Sequence, residues 1–129
     1  MKSVQDIVDL ASAYYGSAVL FAAIDCDVFA KVERGEVESP ERGMRLLLDA
    51  CVAEGLLEKR DGRYFNTPAS KAALVPGGPA DLTGAIRYNR DVYPAWGRLG
   101  EFAKTGLPVE RPELHLGENA ARTKAVADR

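Results

Sequence analysis

The sequence predicts a mainly α-helical, winged-helix-like domain with one short β-hairpin. Three observations predict it. A strongly signalled helix covers residues 40–54, an Asp61-Gly62 turn sits between two short strand-like runs, and an apolar opening stretch repeats at helical spacing. A helix, a glycine stop and a hairpin with a charged tip, in that order, make the second half of a winged helix-turn-helix.

Taken in chain order, Ser3 is placed to cap a helix whose apolar positions Val4, Ile7, Val8, Ala11 and Tyr14 recur at three- and four-residue steps. Gly16 is expected to bend or interrupt it, after which Val19, Leu20, Ala22, Ala23 and Ile24 resume the pattern. Tyr15 and Phe21 fall off the main stripe, so this opening segment is apolar on more than one side and must be covered by something. In so short a chain an identical neighbour is the cheapest cover. The expected contact set is Val4, Ile7, Val8, Ala11, Tyr14, Tyr15, Leu20 and Phe21.

Residues 28–32 read as a short helical turn, and residues 33–38 are polar. Ser39-Pro40-Glu41 then supplies an N-cap, a proline at the first helical position and a first-turn acid. Met44, Leu47, Leu48, Cys51 and Val52 follow on one face, and Gly55 provides the left-handed stop. Asp-Gly at positions 61–62 is the preferred pair for a two-residue hairpin, because both central residues take positive φ. Thr67-Pro68 opens a helix through Ala73, and Pro76-Gly77-Gly78-Pro79 breaks the chain. A further helix starts near Asp81, is kinked or restarted at Pro94, and stops at Gly106. Residues 107–114 read as a loop, and Asn119 as the cap of a last helix over residues 120–128.

The 129 residues fit one domain, divided as residues 1–106 and a linker with the start of a further helix over residues 107–129. Seventeen basic and nineteen acidic side chains give a net charge of −2, which argues against a protein that coats nucleic acid. The surfaces that would read DNA, residues 40–54 and the hairpin, carry balanced charge and offer little counterion release. Cys26 and Cys51 lie in apolar runs and are expected as reduced core residues. No basic-then-apolar signal peptide opens the chain, and the longest apolar run, residues 18–24, is too short to cross a bilayer. The cytoplasm is the expected compartment.

Catalytic equipment is not visible. No glycine-rich turn joins a strand to a helix, since Gly77-Gly78 lies between prolines after a helix. His115 is the sole histidine and has no spaced acid to orient it as a base. One histidine and two distant cysteines cannot build a closed zinc site. The expectation is therefore no catalytic residue, no metal and no cofactor in this chain.

The order of the pieces resembles a known family. The run Ala13-Tyr14-x-x-Ser17-x-x-Leu20-x-Ala22-Ala23, then Val28-Phe29, the stretch from Arg45 through Glu58, and Asp61-Gly62-Arg63-Tyr64 are similar to the N-terminal domain of O-methyltransferases of the caffeic-acid and hydroxyindole type. Bacterial small-molecule and polyketide-tailoring methyltransferases share that domain. Tyr88 to Gly106, with Trp96-x-x-Leu99, and Leu116-Gly117-Glu118 look like the family's bridge toward its catalytic domain. The resemblance implies an intertwined homodimer that also covers a small-molecule pocket, S-adenosylmethionine as the parent family's cofactor, and acceptor-lining positions at Tyr88, Asn89, Tyr93 and Trp96. It further implies that the catalytic domain lies beyond this chain and that the chain alone is inactive. One departure stands out: the family carries a helix before the recognition-like helix, where this chain has only residues 33–38, so that helix is expected to be missing or remodelled. Two rivals follow from the same pattern: a winged-helix transcription regulator, and a scaffold paralogue that pairs with a full-length methyltransferase.

Overall fold

A computed structural model describes residues 2–109 of the chain. Its elements are α1 (Val4–Ser12), α2 (Tyr14–Asp25), α3 (Val28–Glu33), α4 (Arg42–Ala53), β1 (Leu57–Arg60), β2 (Arg63–Asn66), α5 (Pro68–Ala73), α6 (Thr83–Trp96) and α7 (Leu99–Thr105). The predicted mainly helical fold with one antiparallel hairpin is what forms. The chain divides into two compact units, Met1–Tyr88 and Asn89–Arg129, with the boundary inside α6. The expected helix over residues 120–128, His115 and the Leu116-Gly117-Glu118 stretch lie outside the described residues.

Ser3 caps α1 as the spacing predicts. Its hydroxyl accepts from the Asp6 amide at 3.2 Å while the Asp6 carboxylate accepts from the Ser3 amide at 3.1 Å, a reciprocal capping box. Such a cap is worth about 1 kcal/mol. The predicted break at Gly16 is displaced: the interruption falls at Ala13, whose amide donates to the Leu10 carbonyl at 3.3 Å, one residue short of the α-helical partner. Gly16 lies inside α2 and serves packing instead. A β-carbon there would lie 2.7 Å from the Glu54 carboxylate, so the missing side chain makes room for the end of α4.

The two helices also bear on the membrane reading. Counted together, Val4–Asp25 spans 22 residues, and its most apolar 18-residue window has mean hydropathy 1.6, enough to cross a bilayer by length and composition alone. Only 11% of the apolar window is buried within the chain.

The core of the first unit gathers where α2 turns into α3. Ala23, Ile24, Val28, Phe29, Leu48, Cys51, Leu57, Tyr64 and Leu74 are buried in one cluster. Asp27 makes the turn between those helices with φ 53°, a left-handed conformation that aspartate tolerates better than most side chains. This corner brings Phe29, 1% exposed, into the same buried cluster as Leu48 of α4. Removing such a side chain from water contributes roughly 1.5–3 kcal/mol.

Helix α4 begins two residues later than predicted. Glu41, extended at ψ 164°, is the N-cap and makes no side-chain cap bond; Ser39 and Pro40 precede the helix. The apolar face starts only at Met44, so an added N-terminal turn would bury little and would gain no tertiary support. The C-terminal end matches prediction. Gly55 adopts φ 76°, its amide donates to Val52 at 3.0 Å, and the Leu56 amide reaches back to Cys51 at 2.8 Å, closing a Schellman motif. No helix fills residues 34–41 between α3 and α4, in line with the expected remodelling.

The hairpin pairs Leu57 with Asn66 and Arg60 with Arg63 across Asp61 (φ 52°) and Gly62 (φ 76°), the two positive values that a type I′ turn needs. One polar cluster ties it to α4. The Tyr64 hydroxyl donates to Asp49 Oδ1 at 2.5 Å, and Lys59 Nζ lies 3.1 Å from the same oxygen. Thr67 then caps α5 by accepting from the Ser70 amide at 3.1 Å, as predicted, and the buried Ser70 hydroxyl donates to the Leu56 carbonyl at 2.7 Å.

Asp81 stands before α6 rather than inside it. Its carboxylate accepts from the Gly77 amide at 3.0 Å and from the Thr83 amide at 2.8 Å. Three hydrogen bonds, the Thr83 hydroxyl first, hold its pKa down to about 2. The predicted break at Pro94 is also displaced. Helix α6 runs through Pro94 to Trp96, and the chain turns at Gly97-Arg98, where Gly97 donates to the Pro94 carbonyl at 3.2 Å. Proline forfeits a single helical bond there, in the last turn, while the following glycine is the weaker helix former. Gly106 ends α7 at φ 69° as expected.

The Asp49 carboxyl is held below its ordinary value, chiefly by the Tyr64 hydroxyl and then by Lys59. Its stabilising contribution is therefore present above the ordinary carboxylate range and lost as pH falls through the lowered value. Tyr64→Phe should lower the urea midpoint at neutral pH. The gap from the parent chain should close as acidification protonates Asp49. A gap that stays constant down to strong acid would show that the bond contributes nothing specific.

Candidate functional site

The largest unexplained feature of the first unit is apolar surface on α1 and the first turns of α2. Val4, Ile7, Val8, Leu10, Tyr14 and Tyr15 are each more than half exposed, and Val4 reaches 79%. Ala11 is exposed with them. The Tyr14 and Tyr15 rings meet edge to face, centroids 4.6 Å apart at 71°. The expected contact set divides here: Leu20 packs against the chain's own core and Phe21 is half-buried. Leu10 is the member that sequence reading missed, although it stands three residues after Ile7 and widens the same stripe.

The magnitudes show what this face needs. Burying what the four aliphatic side chains still expose would gain roughly 4–7 kcal/mol per copy, and a symmetric pair, which makes every contact twice, roughly 8–15 kcal/mol, comparable with the cost of association, on the order of 4–15 kcal/mol. The flanks are acidic. From Val4 to Asp25 the only charged side chains are Asp6, Asp9 and Asp25.

The expected acceptor-lining positions all fall on α6. Tyr88 ends the first unit and is 54% exposed. In the second unit Asn89 is exposed, Tyr93 is half-buried, and Trp96 is 68% exposed. Leu99, Phe102 and Leu107 continue the exposed apolar surface of that unit.

An open groove of about 760 Å³ lies beside the hairpin, lined by Val32, Val37, Arg60, Phe65, Asn66 and Lys71 among others. The Arg60 guanidinium stacks over the Phe65 ring at 4.3 Å, and Lys71 lies 3.7 Å from Glu33. Asn66 donates to the Phe29 carbonyl at 3.0 Å and to Glu33 at 3.1 Å, bridging β2 to α3. These partners tie Arg60, Lys71 and the Asn66 amide nitrogen to neighbouring groups, while Asn66 Oδ1 is buried without a hydrogen-bond partner among the described residues. Along the would-be DNA-reading surface, Lys59 is paired with Asp49, and Arg60 lies on an aromatic ring.

The described residues do not fit an S-adenosylmethionine site. Their strands form a two-residue-turn hairpin, with no strand feeding a helix through a glycine loop. Gly78 is packed against the end of α5, where a β-carbon would lie 2.6 Å from the Ala72 carbonyl, and its amide already donates to Val75 at 3.0 Å. It presents nothing to a ligand.

The two cysteines part company. Cys51 is fully buried in the core, and desolvation, with Glu54 nearby, pushes its thiol up to about 11. Cys26 is exposed at the C-cap of α2, contrary to the core placement read from its apolar neighbours. The corner at Asp27 turns the chain there, so the residue just before it faces outward.

Residues 8–76 match the family model described as the O-methyltransferase dimerisation domain. The chain is 35% identical to 3-hydroxy-5-methyl-1-naphthoate 3-O-methyltransferase from Streptomyces sahachiroi, an alignment covering 92% of this chain and 38% of that protein. It is 34% identical to acetylserotonin O-methyltransferase from Mus musculus, covering 78% of this chain and 30% of the relative. The fold is similar to that of human N-acetylserotonin methyltransferase in complex with SAM, with a TM-score of 0.66 at 30% identity over 82% of this chain and 35% of that one. The chain thus spans about a third of the length of these relatives.

In the native protein, iodoacetamide should modify Cys26 within minutes and leave Cys51 intact until denaturant is added. Equal native labelling of both thiols would contradict the packing around α4.

Proposed function

The chain belongs to the O-methyltransferase dimerisation domain family, and from that premise we propose that it joins two copies of itself through the apolar face of α1 and the start of α2. The observation that carries this reading is the exposed stripe Val4, Ile7, Val8, Leu10, Tyr14 and Tyr15, which the chain's own core leaves uncovered. Ala11 belongs to that face, while Leu20 and Phe21 join it to the interior. The resulting homodimer is intertwined, each copy's opening helices lying on the other.

Within longer polypeptides of the relatives' kind, the pair supports transfer of a methyl group from S-adenosylmethionine to a hydroxyl of a small aromatic or polyketide-like acceptor. The names of the relatives, a naphthoate 3-O-methyltransferase and an acetylserotonin O-methyltransferase, support that substrate class. The cofactor is held outside the described residues. Residues 1–106 form the pairing and lid portion, and Tyr88, Asn89, Tyr93 and Trp96 of α6 face the acceptor. The cytoplasm is the place of action. The balanced charge of α4 and the hairpin, with Lys59 paired to Asp49, gives no support to the DNA-binding rival.

Light scattering on the size-separated chain at micromolar concentration tests the pairing. The expected mass is twice that of one chain, and Ile7→Glu should shift it to a single copy while leaving the helical circular dichroism unchanged. A wild-type chain that remains single would overturn the proposal.

Trp96 is the only tryptophan, so its emission reports on α6. In the dimer, a small hydroxynaphthoate should change the Trp96 emission lifetime saturably. An unchanged lifetime up to about 1 mM ligand, where binding is worth roughly 4 kcal/mol, would remove α6 from the acceptor site.

A further inference from the structure

The hairpin is a sheet of two strands, so each strand keeps one edge that no other strand pairs. The Asp61-Gly62 turn joins Arg60 and Arg63 as a hydrogen-bonded pair, and along an antiparallel ladder bonded and non-bonded pairs alternate. Glu58 and Phe65 therefore bond to each other, whereas the main-chain N–H and C=O groups of Tyr64 and Asn66 point away from β1. Among the described residues no other backbone group takes them up. Main-chain donors and acceptors are strong and directional, and a strand edge that leaves them open is a template for another extended chain.

The groove beside the hairpin runs along this edge. All four residues of β2 line it, although their side chains alternate between the two faces of the hairpin, while β1 contributes Arg60 alone. A cavity bounded by both faces of one strand and by only the last residue of the other sits at the first strand's outer edge. Its opposite wall includes Val37 and Glu38, from the stretch between α3 and α4 where no helix forms. Arg60 and Arg63 stand directly opposite each other on the outer face, beside the exposed Phe65. Neither guanidinium has an acid partner among the described residues, and like charges so placed destabilise a ladder. Glu38 and Asp61 also line the groove, so what is missing is one carboxylate beside Arg63 and not an acidic run.

We propose that the open edge of β2 takes up an extended segment of a partner protein as a third strand, with one carboxylate beside Arg63 and, two residues away on the same face, an apolar side chain against Phe65. Only an extended backbone offers donors and acceptors at the spacing that Tyr64 and Asn66 present. Those main-chain bonds supply the affinity, and the side chains at alternate positions select the segment. The inference is independent of the pairing through α1, since the hairpin edge and the α1 face share no residue.

Amide hydrogen exchange of the full chain, followed by NMR with and without the N-acetylated, C-amidated pentapeptide Val-Thr-Glu-Thr-Val, tests it; this probe offers the carboxylate and the apolar neighbour in either strand direction. In the free chain the Tyr64 amide should exchange about tenfold faster than the bonded Phe65 amide, and saturating peptide should slow it about tenfold. Arg63→Glu should weaken the binding roughly threefold, the scale of one exposed ion pair, and leave binding of the glutamine version of the peptide unweakened. A Tyr64 amide already protected in the free chain would mean that this chain or a second copy occupies the edge, and would overturn the inference. Unchanged Tyr64 exchange up to about 1 mM peptide, where binding is worth roughly 4 kcal/mol, would overturn it too. Equal protection by the same peptide methylated at every amide nitrogen would show that main-chain pairing is not what holds it, with the same consequence.

Discussion

Helix α2 is the constraint on which the rest depends, because it is used from both ends. Its C-terminal turn is locked into the core by Ala23 and Ile24, which are buried. Its N-terminal turn carries Tyr14 and Tyr15 outward and extends the uncovered surface of α1. The core thus fixes the direction of a surface that it does not cover. A rigid platform of that kind lowers the ordering cost of association, since the docking side chains are already held on a packed helix.

The remaining elements serve that platform. The left-handed Asp27 turns the chain so that Phe29 joins the core cluster that holds Leu48, and the Schellman end of α4 sends the chain straight into β1. The hairpin is joined to α4 through the Tyr64–Asp49–Lys59 cluster and to α3 through Asn66. These side chains hold the wing against the helices. Gly16 completes the arrangement by letting the end of α4 approach α2 closely.

Local signals were read well wherever a short-range physical rule decides the outcome. The Ser3 cap, the Gly55 stop, the Asp61-Gly62 turn and the Thr67-Pro68 start each depend on residues within a few positions, and each forms. Signals that depend on distant packing were misplaced. Gly16 and Pro94 both looked like breaks, yet the interruptions fall at Ala13 and at Gly97-Arg98. Cys26 looked buried because its neighbours are apolar, although the corner beside it decides its direction. Of the candidate interface, the apolar stripe was legible from spacing, while the assignment of Leu20 inward and Leu10 outward was not.

By itself the amino-acid order determined the helical class, the hairpin, the caps and the existence of an apolar surplus at the N-terminus. These follow from periodicity and from backbone preferences of single residues, which act over one or two turns. Which apolar side chains would be consumed by the chain's own core was decided only by the tertiary fold. That choice turns on the packing of α2 against α3 and α4, which takes Leu20, Ala23 and Ile24 inward and leaves Leu10, Tyr14 and Tyr15 exposed.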